Sequence, residues 1–291
     1  MKEKKIILTI AGSDPAGGAG IQTDIRTASD LGLYPCIVVT AITAQNTSEV
    51  AGVWGVNDNQ LESQIDSLLS DIHPDAVKIG LVASAAALDI IAGKIEEFDL
   101  NNVVVDPILS PTLASAQPDQ ELARKYVERL FPLASLVTPN IPEKDYFESL
   151  TGKPFEELCE AFLLKGGHGE GETCFDSLSY HALDKLSSEF QSTSFPTLNN
   201  KTQPFMPQDL SPMAEEEYAR TLVTREYRHK RIQTSNTHGS GCVLSTAIAC
   251  FLAKEFHLEK AVETGLKFTY NTLRASADVK FGKGNYGPSL Y

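Results

Sequence analysis

Short runs rich in β-branched residues recur along this chain, at 6–10, 36–40, 76–79, 103–105, 136–138 and 162–164, each bounded by Gly, Pro or Asp. Runs of this length, apolar on both sides of the pleat, are strands buried on two faces. Between them lie stretches of helical period, such as Leu61, Ile65, Leu68 and Leu69 ahead of Pro74, and Leu122, Tyr126, Val127 and Leu130 ahead of Pro132. Strand and helix in alternation leave few topologies: right-handed crossovers join parallel strands, and the helices cover both faces. The expected fold class is therefore α/β, a three-layer sandwich with a mostly parallel central sheet, in one domain over residues 1–291. In open parallel sheets ligands bind beyond the carboxyl ends of the strands, where loops converge and helix N-termini point N–H groups outward. At those ends the sequence is polar or glycine-rich.

Two regions break the rhythm. Roughly 181–217 holds Pro196, Pro204, Pro207 and Pro212 among Ser, Thr, Asn and Gln with little apolar periodicity, and reads as an inserted or mobile surface excursion. After it, 222–232 alternates like an exposed strand, and 241–252 is apolar nearly all round, as a fully buried helix is.

With 42% hydrophobic and 22% charged residues among 291, the chain has the make-up of a globular protein able to bury a large core. Its 38 acidic residues against 25 basic leave a net charge of −13. That field repels phosphodiester backbones and anionic bilayers, so neither nucleic acid nor membrane is an expected partner. Five cysteines, at 36, 159, 174, 242 and 250, form no C-x-x-C pair; an odd count fits a reducing, cytoplasmic setting better than a disulfide framework. The apolar run after the basic first five residues is too short for a signal peptide core or a membrane span. The six histidines lack the short spacings of zinc sites.

Four groups of residues carry candidate chemistry. Gly12-Ser13-Asp14-Pro15-Ala16-Gly17-Gly18-Ala19-Gly20 with Ile21 to Asp24 is a glycine-rich turn between a strand and a helix. It lacks the Lys-Ser/Thr pair of a Walker loop and the full dinucleotide fingerprint, so a structural turn and a ligand loop both remain open. Asn236-Thr237-His238-Gly239-Ser240-Gly241-Cys242 opens the buried helix, where successive N–H groups make a nest for an anion. Cys242 is there either as an inert buried thiol or as a nucleophile or base whose pKa the helix terminus lowers from about 8.5. Asp106 and Glu143 are hard carboxylates at strand ends that suit magnesium, or else a turn residue before proline and a charge in a helix first turn. Lys165, ahead of Gly166-Gly167-His168, offers a cation to nucleotide phosphates or closes an ordinary turn.

These motifs, together with Ala44-Gln45-Asn46-Thr47, Lys78-Ile79-Gly80 and Thr138-Pro139-Asn140-Ile141-Pro142-Glu143, stand in one order. In that order the chain resembles the hydroxymethylpyrimidine/phosphomethylpyrimidine kinases of thiamin biosynthesis, in the ribokinase-like superfamily, over nearly its whole length apart from roughly 170–233. The resemblance implies a ribokinase-like sandwich and an ATP- and magnesium-dependent kinase. Its substrates would be the hydroxymethyl group of 4-amino-5-hydroxymethyl-2-methylpyrimidine and then the phosphate of the monophosphate, at one site. By the same resemblance Cys242 stands where related sugar kinases carry an aspartate base, and Gly239, Ser240 and Gly241 donate N–H groups to the γ-phosphoryl. Gln45 would pair with the pyrimidine edge, Gly12, Asp14 and Asp24 would line the substrate pocket, and Leu81 would lie close to the ring. Asp106 and Glu143 would organise magnesium, and Asn140 and Lys165 would belong to the nucleotide side. A homodimer is a further expectation the resemblance carries.

Some residues depart from the family pattern. Ser240 replaces the usual threonine, Leu81 stands where methionine is common, the loop at 110–117 has no glycine, and the stretch from His168 to His238 is long. These leave a pyridoxal or pyridoxine kinase as an alternative, and so too a relative that binds a vitamin precursor without turning it over. A nicotinamide-dependent dehydrogenase fails on the incomplete fingerprint.

Overall fold

The apolar runs all become strands, and the helical stretches between them become the outer layers. The computed structural model describes residues 4–109, 119–168, 171–185, 218–284 and 287–290. Its strands are β1 (Ile6–Ser13), β2 (Tyr34–Gln45), β3 (Val50–Gly55), β4 (Ala76–Ile79), β5 (Val103–Val105), β6 (Leu136–Val137), β7 (Ala161–Leu164), β8 (Thr173–Lys185) and β9 (Tyr218–Lys230). They form one sheet in the order β3-β2-β1-β4-β5-β6-β7-β8-β9. The six strands from β2 across to β7 run parallel. Antiparallel β3 flanks one side, and the antiparallel pair β8 and β9 the other. The helices are α1 (Gly20–Asp30), α2 (Asp58–Leu69), α3 (Ala85–Glu97), α4 (Gln120–Lys125), α5 (Ile141–Thr151), α6 (Ser240–Ala253) and α7 (Leu258–Ser276), with a π-turn over Tyr126–Leu130 continuing α4. The expected α/β class and three layers are both present.

Neighbouring residues of each central strand point to opposite faces, which is why the strands are apolar at consecutive positions. Ile7, Ala76, Val104 and Leu136 pack with Ala28 of α1 and with α6 and α7. Leu8, Ile10, Val77, Ile79, Val103 and Val105 pack with α2, α3 and Phe147 of α5. Burying each of these aliphatic side chains contributes about 1.5–3 kcal/mol before entropy is counted. On that second face Phe131, Phe147, Phe155 and Phe162 meet in tilted and edge-on pairs, the closest with centroids 5.1 Å apart. Every residue of α6 from Cys242 to Ala253 is buried, as its all-round apolarity requires. Gly265 of α7 permits the close approach, since a Cβ there would stand 2.6 Å from Ile248.

Three elements differ from expectation. β2 runs on to Gln45 and turns back as β3, so Ala44 and Gln45 lie in a hairpin rather than a loop. Ile42, Val53 and Trp54 of that hairpin are exposed, so it gives no buried-strand signal, and Ile37 in the expected run at 36–40 is exposed too, so β2 is not buried on both faces there. β8 was not expected, because polar residues break its apolar pattern. It takes residues 181–185 out of the expected excursion at 181–217, whose remainder lies outside the described residues, as does the loop at 110–117.

Candidate active site

β1 ends at Ser13, and Asp14 shapes the turn into α1. Its Oδ1 accepts the Ala16 N–H at 2.8 Å, and its Oδ2 accepts those of Gly18 at 3.0 Å and Ala19 at 2.9 Å. His238 Nε2 reaches the same Oδ2 at 2.9 Å, tying the glycine loop to the loop that opens α6. Burial acts to raise the Asp14 pKa, but the His238 contact and the Ala16 and Ala19 N–H groups hold it below its ordinary value. The two loops touch as bare backbone. Gly239 sits at φ 74°, and a Cβ there would stand 1.9 Å from the Gly18 carbonyl oxygen.

Gly239 is the N-cap of α6, and no side chain caps the helix. Ser240 spends its N–H on the Thr237 carbonyl at 3.1 Å, so it does not serve as the backbone donor expected of it. The first-turn N–H groups of Gly241 and Cys242 have no protein acceptor among the described residues. They are the nest. The Gly20 N–H at the start of α1 favours the thiolate form of Cys242. Burial pushes the Cys242 thiol up to about 11, Lys78 pulling it down while Asp24 and Asp106 push it further up. The lowered thiol pKa expected at a helix terminus is therefore not what this environment produces. Desolvation and two carboxylates outweigh the helix.

Opposite the nest, Asp106 follows β5 and Lys165 follows β7. Lys165 Nζ lies 2.7 Å from Asp106 Oδ1 and 4.0 Å from Glu143 Oε2. A Cβ on Gly241 would be 3.3 Å from Asp106 Oδ2 and 3.5 Å from Lys165 Nζ, which places both against the first turn of α6. Glu143 also closes a capping box on α5: its Oε2 accepts the Asn140 N–H and Asn140 Oδ1 accepts the Glu143 N–H, each at 2.8 Å. Burial pushes the Glu143 carboxyl up to about 7, with Lys165 opposing and Asp106 adding to the rise. Asn140 and Lys165 are bridged as backbone neighbours, so both expected nucleotide residues share this corner. Among the described residues no group of three or more His, Cys, Asp and Glu stands ready to hold a metal. Asp106 and Glu143 still fit magnesium, which needs one or two carboxylates beside phosphate oxygens and water.

Asp24 is placed otherwise than expected. It is 0% exposed and lies beneath the site instead of lining a pocket. Its carboxylate accepts Lys78 Nζ at 2.8 and 3.1 Å, Thr9 Oγ1 at 2.5 Å and Thr246 Oγ1 at 2.7 Å. With these partners it is an internal ion pair. On the other side of the nest, the Gln45 side chain meets His238 at 2.7 Å, and Gly12 packs against the half-buried Leu81. The structure thus brings Gln45, Gly12, Leu81 and Asp14 to one side of α6 and Asp106, Lys165, Glu143 and Asn140 to the other, with Gly241 and Cys242 between.

The phosphomethylpyrimidine kinase family profile matches residues 14–201 and 214–289. The chain belongs to that family. A Rhizobium meliloti hydroxymethylpyrimidine/phosphomethylpyrimidine kinase is 34% identical over 97% of this chain and 95% of its own. The bifunctional thiamine biosynthesis protein ThiED of Geobacter sulfurreducens is 33% identical over 96% of this chain, which spans 51% of that protein. This chain therefore covers about half the length of its bifunctional relatives. The crystal structure of a Clostridium difficile phosphomethylpyrimidine kinase is 30% identical, covers 92% of this chain and 99% of its own, and superposes with a TM-score of 0.66. A Bacillus subtilis pyridoxal kinase, 24% identical over 99% of this chain and 97% of its own with a TM-score of 0.74, has the same fold. Among the described residues no helix is long and apolar enough to cross a membrane.

The sequence motifs include Lys78 and His238 without giving either residue a role of its own. Lys78 is a fully buried cation in the run Ala76-Val77-Lys78-Ile79, and a lysine inside an apolar strand was the available signal. His238 carried no such signal, because its partners Asp14 and Gln45 are far away in sequence.

Proposed function

We propose that the protein transfers the γ-phosphoryl group of ATP to the hydroxymethyl oxygen of 4-amino-5-hydroxymethyl-2-methylpyrimidine, and then to the phosphate of the resulting monophosphate. The observation that carries this reading is the uncapped first turn of α6, with free N–H groups at Gly241 and Cys242 beside a buried thiol. The migrating group spreads negative charge over three oxygens, and fixed N–H donors in a dry site stabilise that charge. Lys165 would neutralise phosphate charge from the opposite side. Magnesium, held by Asp106 and Glu143, would supply further neutralisation between phosphates. Asp14 shapes the loop that closes on the substrate, and Gln45 reads the ring edge.

Cys242 would take the proton of the hydroxymethyl group as its oxygen bonds to phosphorus and the bond to the β-phosphate oxygen breaks. With the thiol held near 11, only its thiolate form can accept that proton, so Cys242 first loses its own proton to solvent, and the small ionised fraction carries the reaction. Such a base suits a loose transition state, in which the alcohol becomes acidic only as the new bond forms. Gly239 at positive φ and the Ser240 N–H bonded to the Thr237 carbonyl keep the loop in place.

An ADP-release assay tests this with the pyrimidine alcohol, its monophosphate and pyridoxal. The expected result is turnover of both pyrimidines, with kcat/KM above that for pyridoxal. Comparable or greater kcat/KM on pyridoxal would make the protein a vitamin B6 kinase, and binding without ADP release would make it a sensor.

A further inference from the structure

His238 Nε2 lies 2.9 Å from Asp14 Oδ2 and 2.7 Å from the end of the Gln45 amide, at the position of Nε2. One ring nitrogen carries at most one hydrogen, so the two contacts must be reconciled. Asp14 already accepts three backbone N–H groups, an arrangement that keeps it ionised and able only to accept. His238 Nε2 therefore carries the hydrogen and has no lone pair for a Gln45 N–H. A second contact makes the same demand. Thr43 Oγ1 lies 3.0 Å from the Ser13 carbonyl and 3.4 Å from Gln45 Oε1. Its single hydrogen goes to the carbonyl, which can only accept, so towards Gln45 the hydroxyl can only accept as well.

Turning the amide by half a revolution about its last bond satisfies both neighbours. We infer that His238, fixed by Asp14, is a positioning residue that holds the Gln45 carbonyl towards itself and turns the amide nitrogen towards Thr43 and the substrate. The Asp14–His238 hydrogen is then shared with Gln45 Oε1, and one Gln45 N–H is donated to Thr43 Oγ1. One N–H and one carbonyl lone pair remain for a ligand. They complement an aminopyrimidine edge, where a ring nitrogen accepts beside an amino group that donates. Gly18 is part of the device, because a Cβ there would stand 2.2 Å from His238 Cδ2 and push the ring away. The inference deepens the proposed substrate assignment and rests on it for the ligand, but the amide orientation itself does not.

Two-bond ¹H–¹⁵N correlation spectra of the labelled protein show which ring nitrogen of His238 is protonated, with His238→Phe spectra assigning the signal. Protonated Nε2, unchanged in Gln45→Glu, is the expected result; unprotonated Nε2 overturns the inference whatever the protein phosphorylates. The kinetic arm uses the same variants. Gln45→Glu still accepts from His238 but has no N–H to give, and should raise KM for the pyrimidine alcohol about tenfold. His238→Phe keeps a ring against Gly18 and should raise KM about fivefold, with kcat falling less than KM rises. Wild-type KM in Gln45→Glu would show that the ring takes no N–H from this position and would overturn the orientation. A protein with Nε2 protonated that turns over no pyrimidine alcohol would keep the orientation and lose the substrate assignment.

Discussion

Replacing Lys78 by methionine removes the cation of a pair whose two side chains are both 0% exposed and whose N···O distance is 2.8 Å. Asp24 would keep only the hydroxyl donors Thr9 and Thr246. Breaking a buried pair by deleting one partner costs about 3–5 kcal/mol, and the two remaining hydrogen bonds place this case near the lower end. For a chain of this size that corresponds to a fall in Tm of about 6–12 °C. Urea unfolding followed by circular dichroism measures it, in a double-mutant cycle with Asp24→Leu. The double variant should recover most of the loss, because an apolar pair of similar volume avoids the desolvation of both charges. Its kcat should lie between those of wild type and Lys78→Met, since Lys78 pulls the Cys242 thiol down and Asp24 pushes it up, and the double variant removes both. Lys78→Met within about 0.5 kcal/mol of wild type, or a double variant less stable than either single one, would refute the argument.

Asp14 is held below its ordinary value of 3.8, so its ionised form stabilises the fold at neutral pH and that contribution is lost as the pH falls below 3.8. The stability gap between wild type and Asp14→Asn should be widest near pH 7 and narrow as the pH falls below 3.8 in urea titrations. Gly239→Ala forces a Cβ to 1.9 Å from the Gly18 carbonyl oxygen at φ 74°, and should lower both Tm and kcat as the two loops part, as calorimetry and the ADP-release assay would register. Because burial pushes the Cys242 thiol up to about 11, its alkylation by iodoacetamide, followed by mass spectrometry, should speed up about tenfold per pH unit from 7 to 10.

Sequence pattern reaches furthest where burial is symmetrical. The runs at 76–79 and 103–105 and the all-round apolar 241–252 become β4, β5 and α6 because the elements around them cover every face. The hairpin of β2 and β3 and the strand β8 escape it, since exposed Ile42 and Trp54 and the polar residues of β8 blur the period. The corner of Asp106, Glu143, Asn140 and Lys165 is legible because each residue ends a strand or opens a helix at one sheet edge. Asp24 is misread for a reason that local pattern does not contain: its partner Lys78 lies 54 positions away, and only the sheet order places β4 beside β1 under α1. The raised Cys242 thiol has a similar origin. A helix terminus is visible in sequence, whereas the two carboxylates and the depth of burial that oppose it belong to the tertiary fold.

The central claim is that the first turn of α6 cradles the migrating phosphoryl group while the neighbouring sulfur accepts the alcohol proton. Rapid-quench single-turnover measurements on Cys242→Ala, with pyrimidine affinity from calorimetry, test it most directly. The account predicts a transfer rate about two to four orders of magnitude below wild type with affinity nearly unchanged. A variant that transfers phosphoryl at close to the wild-type rate would contradict it and leave the turn as a binding site alone.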